Sequence, residues 1–245
     1  MEFKQVQHLC PSPKYPEKEA LYLEVRRREG RVLDDEVVKK LPVVSETSLY
    51  AKEWVWRKRS FQRFMACLPK RTPLRILDLG CGNGWMANRL AENPNWEVFA
   101  IDLNQDELEQ GARLFGRSNL NFFYADVLEG DFPEHPFDII LLAASVQYFP
   151  DLKLLIEALR RKSTPEGQIH LLDSPCYKSR ADQTAARQRT ASYYQKIGVP
   201  EMASFYHHHL LAEAEILGGK NLNNTLWIKV LQKIGWLSPF PWLRF

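Results

Sequence analysis

The sequence predicts a doubly wound, mostly parallel α/β sheet over residues 74–173, flanked by an N-terminal helical extension, 1–73, and a C-terminal helical insertion with closing elements, 174–245. Two observations carry that reading. From Leu74 onward, short apolar runs of strand length alternate with segments of helical period. The repeat has the length of a β-α-β unit, which requires parallel strands covered by helices on both faces. A chain of 245 residues, 45% of them hydrophobic, suits one such domain with additions. Its longest apolar run, Ile139 to Ala144, is strand-sized and far short of the roughly 18 residues that suggest a membrane span.

Pro11, Pro13 and Pro16 keep the start irregular. Lys18 to Glu29 reads as a helix stopped by Gly30, and Glu46 to Leu68 as a longer one with Ser45 as cap and Pro69 closing it. Leu49, Trp54, Phe61, Phe64 and Leu68 fall at helical spacings and predict one buried stripe. Strands follow at Leu74 to Leu79, Trp96 to Ile101, Leu120 to Ala125 and Phe137 to Ala143. Helices alternate with them at Trp85 to Glu92, Gln105 to Phe115 and Asp151 to Arg161. Thr164-Pro165-Glu166-Gly167 predicts a tight turn into a fifth strand, Gln168 to Leu172. Ala181 to Ile197 and Pro200 to Leu217 read as helices, and Thr225 to Ile234 as either helix or strand. The closing Pro239–Phe245 segment is apolar enough for a strand whose prolines admit only an edge.

Charge is uneven along the chain. Residues 1–73 hold 16 Lys and Arg against 10 Asp and Glu, residues 74–173 hold 8 against 16, and residues 174–245 hold 9 against 4. An acidic centre between basic ends favours a ligand that is not anionic. Cys10, Cys67, Cys81 and Cys176 form no C-x-x-C pair, which gives neither a zinc-finger framework nor a disulfide scaffold. Met1-Glu2-Phe3-Lys4 has no apolar stretch behind it, so the expectation is a cytoplasmic protein without a membrane partner.

The sharpest signal is Asp78-Leu79-Gly80-Cys81-Gly82-Asn83-Gly84, leaving the first strand and entering the first helix. Glycines there permit positive φ and let a ligand approach the backbone. A dinucleotide loop needs its third glycine one place later, where this chain has Trp85, and no Lys-Ser or Lys-Thr follows to make a phosphate loop. Asp78, Asp102 and Asp126 come at or just after the ends of the first three strands, on the sheet edge where open α/β folds bind ligands. Three acids without an arginine cluster suit a ligand with cationic and hydroxyl groups.

In this order, D-L-G-C-G-N-G, F-A-I-D ending at Asp102 and F-Y-A-D ending at Asp126 resemble the class I S-adenosylmethionine-dependent methyltransferases, whose sheet is Rossmann-like. The resemblance spans roughly residues 74–173. It implies that Asp78, Gly80, Cys81, Gly82, Asn83 and Gly84 line the methionine part of S-adenosyl-L-methionine. By the same resemblance Asp102, with Leu103, receives the ribose hydroxyls, and Asp126 with Val127 lies at the adenine. Ala144 and Ser145, followed by Val146, match the segment beneath the cofactor.

Methyl transfer asks the protein mainly to align donor and acceptor, exclude water and sometimes remove a proton. The expected acceptor is a small organic molecule, approached through the N-terminal helices and a lid at 174–217. Ala144-Ser145-Val146-Gln147-Tyr148 lacks the [DNS]-P-P-[YF] pattern that marks amino-methylating enzymes for adenine or cytosine. Cys176 reads as an ordinary buried thiol. His207-His208-His209 cannot converge on one metal from a helix, where successive side chains diverge by about 100°. His208 and Tyr194 stand as candidates for a proton acceptor. Arg26-Arg27-Arg28 and Arg57-Lys58-Arg59 have acidic neighbours and read as solvated helical faces, so nucleic acid is not the expected partner. An RNA or protein methyltransferase, and a non-catalytic protein that binds the same cofactor, remain the alternatives.

Overall fold

The computed structural model describes residues 5–129 and 136–245; the reading of Met1–Lys4 lies outside them. The N-terminal part contributes β1 (Gln7–His8), α1 (Pro16–Arg28), α2 (Asp35–Val38) and α3 (Ala51–Cys67). The central part runs β2 (Leu74–Leu79), α4 (Trp85–Leu90), β3 (Trp96–Asp102), α5 (Gln105–Leu114), β4 (Leu120–Tyr124), β5 (Phe137–Ala143), α6 (Leu152–Arg161) and β6 (Ser163–Leu172). The C-terminal part adds β7 (Cys176–Tyr177), α7 (Arg180–Lys196), β8 (His209–Leu210), α8 (Leu211–Ile216), β9 (Lys220–Asn221), α9 (Leu226–Lys233) and β10 (Leu243–Arg244).

The strands bond in the order β1-β4-β3-β2-β5-β6-β10-β9. Pairs from β1 to β6 are parallel, and β10 is antiparallel to both its neighbours. The order reverses between β2 and β5, which opens a crevice beyond their C-terminal ends. Alternation along each strand feeds two cores, one per face. Ile76, Val98, Phe122 and Ile139 pack under α3, α4 and α5. Leu77, Ile101, Ile140 and Ile169 pack under α6 and α8. A third cluster stands off the sheet and joins α1 to the 180–206 segment: Val25, Tyr194, Val199 and Met202, with Tyr22, Tyr148 and Tyr206 against them.

Several sequence expectations change. The long N-terminal helix starts at Ala51 rather than Glu46, and Leu49 is 93% exposed, so the buried stripe begins at Trp54. Ser45 instead closes a local turn by receiving the Thr47 N–H. The Thr164–Gly167 segment lies within β6, as a break in register between the Phe137–Ser163 and Ile139–Gln168 pairs. Pro200 to Leu217 is not one helix. A 3₁₀ turn (Pro200–Phe205) gives way to β8, which pairs with β7, before α8 begins. The last strand sits inside the sheet, between β6 and β9, because Pro239 and Pro241 precede it and leave Leu243 and Arg244 free to pair on both sides.

Phe64 ties α3 to the sheet and the C-terminus. It is fully buried, its ring edge-on to His170 at 5.1 Å and to Trp242 at 6.4 Å. Phe64→Ala is expected to cost about 3–5 kcal/mol in denaturant unfolding. His170 accepts the Trp242 indole N–H, and burial, reinforced by Arg244, lowers its pKa from 6.5 to about 4. Above pH 6.5 both folded and unfolded chains carry a neutral imidazole. Below it the unfolded chain takes up a proton that the fold refuses, so stability falls as pH drops toward 4. Unfolding measured at pH 7 and pH 4.5 should show His170 responsible for a loss of about 2–3 kcal/mol, and His170→Gln should remove that part.

Candidate functional site

The glycine loop is shaped by its backbone. Gly80, Gly82 and Gly84 have φ of +74°, +54° and +70°. A Cβ on Gly80 would stand 2.4 Å from Ser145 Cβ, and one on Gly84 would stand 2.5 Å from the Phe122 ring. The loop therefore needs glycine both for its conformation and for the close approach of the segment after β5. Ser145 Oγ donates to the Leu79 carbonyl at 2.9 Å, which holds that approach. Ala144 (φ 57°) and Asp173 (φ 51°) adopt left-handed backbone just past β5 and β6, so strain collects on the crevice edge.

The three carboxylates differ. Asp78 is 2% exposed, its Oδ2 lacks a partner, and burial followed by the Asp102 charge raises its pKa to about 7. A cationic group laid against that oxygen would restore the charged form. The Asp102 carboxylate accepts N–H groups from Gly82 (2.7 Å), Leu103 (2.8 Å) and Asn104 (2.9 Å). Burial pushes its pKa up, and those three donors pull it back. Asp126 accepts the Leu128 N–H at 2.9 Å and the Tyr15 hydroxyl at 2.6 Å.

A cavity of about 1080 Å³ opens over these groups. One end is lined by Asp78, the 80–83 loop, Asp102, Leu103, Asp126, Val127, Ala144 and Ser145. α1 and the 190–207 segment border the same cavity. Lys18, Tyr22 and Arg26, four residues apart on α1, share the helix face turned to the cavity. Tyr22, Tyr148, Tyr206 and Tyr194 form a chain of rings with successive centroids 5.4, 5.9 and 6.2 Å apart. Arg26 lies over the Tyr22 ring at 5.7 Å and pairs with Glu107 at 3.5 Å.

The structure brings most of the sequence-selected residues together, and one candidate falls away. Asn83 caps the turn by receiving the Trp85 N–H. Cys81 is buried, with its thiol toward the Gly82 carbonyl. Gly84 stands at the start of α4 beside the cavity rather than on its wall. Trp85 packs edge-on against Trp54 and Phe61 while also lining the cavity. Tyr194 is on the cavity wall. His208 is not: its Nε2 lies 2.9 Å from Thr190 Oγ1, among Tyr177 and Tyr206. The three histidines do not lie on a helix: His207 and His208 precede β8 and His209 begins it. His207 reaches the cavity, while His209 Nε2 approaches the Val146 carbonyl at 3.3 Å. Cys176 is half-buried off the cavity, with its thiol pushed up to about 12 by burial. Sequence reasoning missed His207, Lys18, Arg26 and Glu107; the i, i+4, i+8 spacing of Lys18, Tyr22 and Arg26 was the available signal for α1.

Residues 76–167 match the model of a methyltransferase domain. Over 156 residues the chain is 28% identical to 27-O-demethylrifamycin SV methyltransferase of Amycolatopsis mediterranei, covering 62% of this chain and 57% of that one. The chain spans about half the length of the curated relatives it matches. Phosphoethanolamine N-methyltransferase 2 of Haemonchus contortus, solved with S-adenosyl-L-methionine, superposes with a TM-score of 0.54 at 15% identity, over 87% of this chain and 59% of that one. The YcgJ protein of Bacillus subtilis gives 0.52 at 18% identity, over 71% and 77%. Residues 76–167 are thus a methyltransferase domain, and this α/β block has the fold of the methyltransferases whose cofactor is S-adenosyl-L-methionine.

The residues present fit that cofactor. A buried carboxylate oxygen at Asp78 with no partner among the described residues suits a cationic group, and the 80–83 loop lines the cavity beside it. Asp102→Ala is expected to weaken cofactor binding by about 1–3 kcal/mol through lost charge-assisted hydrogen bonds. Calorimetric titration measures it, with an unchanged far-ultraviolet spectrum as the folding control.

Proposed function

We propose that the chain transfers a methyl group from S-adenosyl-L-methionine to a small organic acceptor. The observation that carries this reading is the set of tyrosine rings that lines the same cavity as the glycine loop and the carboxylates, bordered by α1 and the 200–206 turn. A folded RNA or protein surface would have to displace α1. That helix is held by Tyr15 on Asp126, by Glu19, which accepts the Tyr124 hydroxyl at 2.8 Å, and by the Lys18 ammonium on the Tyr148 carbonyl at 3.0 Å. The rifamycin relative is named for a small-molecule acceptor, which agrees with this choice.

In this reading Asp78, Gly80 to Asn83, Asp102, Leu103, Asp126, Val127, Ala144 and Ser145 hold the cofactor, and Gly84 shapes the loop behind them. When bound it supplies an activated methyl group on a cationic sulfur. The chain's own residues align the acceptor between the tyrosine rings and exclude water. His207 takes the acceptor's proton. Burial, with His209, Lys18 and Arg187 adding to it, lowers the His207 pKa, so the imidazole is neutral and free to accept at neutral pH. Burial drives the Tyr194 phenol far above its ordinary value, which makes it a donor and a wall rather than a base.

Incubation with methyl-labelled cofactor and separated metabolite, RNA and protein fractions of a cell extract tests the proposal. Label is expected in the metabolite fraction. Label in RNA or protein alone, or cofactor binding with no label anywhere, rejects it. With an acceptor in hand, kcat/KM should climb with pH through an acid limb below 6.5, and His207→Asn should abolish that limb and lower kcat about 10²-fold or more.

A further inference from the structure

On the far side of α3 from the cavity, the last part of the chain exposes an apolar helix face. Leu226 is 80% exposed, Trp227 70%, Val230 42% and Ile234 69%, and Trp236 follows at 46%. No residue of α9 is buried. At 100° per residue, Leu226, Val230, Ile234 and Trp227 fall within one arc, and Lys233 and Lys229 lie beside it on one flank. The segment is held at its end by α3: Trp56 Nε1 donates to the Gly235 carbonyl at 2.9 Å, and the Arg59 guanidinium lies over the Trp236 ring at 4.1 Å. Lys52, over Trp56 at 5.1 Å, adds a further cation at this rim.

The charged side chains of this last part of the chain have one sign. Residues 216–245 contain Lys220, Lys229, Lys233 and Arg244, and no Asp or Glu. A second copy docked face to face would set lysines against lysines with no carboxylate to answer them. Exposed tryptophans and aliphatic side chains beside a lysine flank match a helix lying in the plane of an anionic bilayer, its rings at headgroup depth and its lysines toward the phosphates. At eight residues α9 is too short to cross, so it would lie on the surface.

We propose that α9 and the Gly235–Leu237 turn form a peripheral docking surface for an anionic lipid membrane. The test is co-sedimentation of the full chain with vesicles of phosphatidylglycerol and phosphatidylcholine, against vesicles of phosphatidylcholine alone. Retention on the anionic vesicles is expected to exceed that on neutral ones by about tenfold or more, and to collapse in about 1 M salt, where charge is screened within about 3 Å. Trp227→Ser combined with Ile234→Ser, and separately Lys229→Glu combined with Lys233→Glu, should each cut retention about tenfold or more while cofactor binding stays unchanged. Four results overturn the proposal: no retention on anionic vesicles, equal retention on neutral ones, retention that survives both double variants, or concentration-dependent self-association that Trp227→Ser abolishes. Binding to polyglutamate without binding to vesicles assigns the face to an acidic protein and overturns it as well.

Discussion

Three backbone N–H groups converge on the Asp102 carboxylate, and the cavity floor takes its shape from them. Two belong to the turn that leaves β3, and the third, from Gly82, belongs to the loop that leaves β2. One half-buried acid thus locks two adjacent strand ends at the sheet's ligand-binding edge. Such bonds to a charged acceptor are worth roughly 1.5–3 kcal/mol each, enough to hold the loop in its left-handed turns. Gly80 and Cys81 add N–H bonds to the Ile101 carbonyl, so the loop is tied to β3 along its length. Only with the loop held there does Ser145 come against Gly80 and bring the chain after β5 to the same crevice.

Above that floor, the cover is assembled from distant parts of the sequence. Its centre is apolar, where Val25 of α1 meets Met202 and Val199. Its rim is polar: Arg28 donates to the Ile197 carbonyl at 2.6 Å, and the Tyr193 hydroxyl bonds Glu29. Exposed polar contacts of this kind contribute little each, so the apolar centre holds most of the closure.

The histidines illustrate how local periodicity decides, and misdecides, a site. A helical reading of 200–217 scatters three side chains around an axis and gives no reason to prefer any. The chain instead leaves the 3₁₀ turn at Phe205 and enters β8 at His209, with His207 on the cavity wall and His208 off it, and the choice moves from His208 to His207. Pairing with Cys176–Tyr177 imposes that strand, a contact across more than thirty residues. Arg26 and Glu107 show the same limit, since each reads as a surface charge until α1 is laid over the start of α5.

The β-α-β block was legible in the residues alone because its signals are local. Apolar runs of strand length, glycines where a side chain would clash, and acids at strand ends are each dictated by backbone geometry within a few positions. The shared sheet edge of the three acids followed from that repeat, whereas the order of the strands came only with the folded sheet. What surrounds the crevice was not legible in this way. The placement of α1 over the cavity, the β7–β8 pair, the strand at Leu243–Arg244 inside the sheet and the bare face of α9 all depend on packing between segments far apart in the chain. Their outcome is set by which apolar surfaces find partners in the folded molecule, and no short window of sequence records that choice.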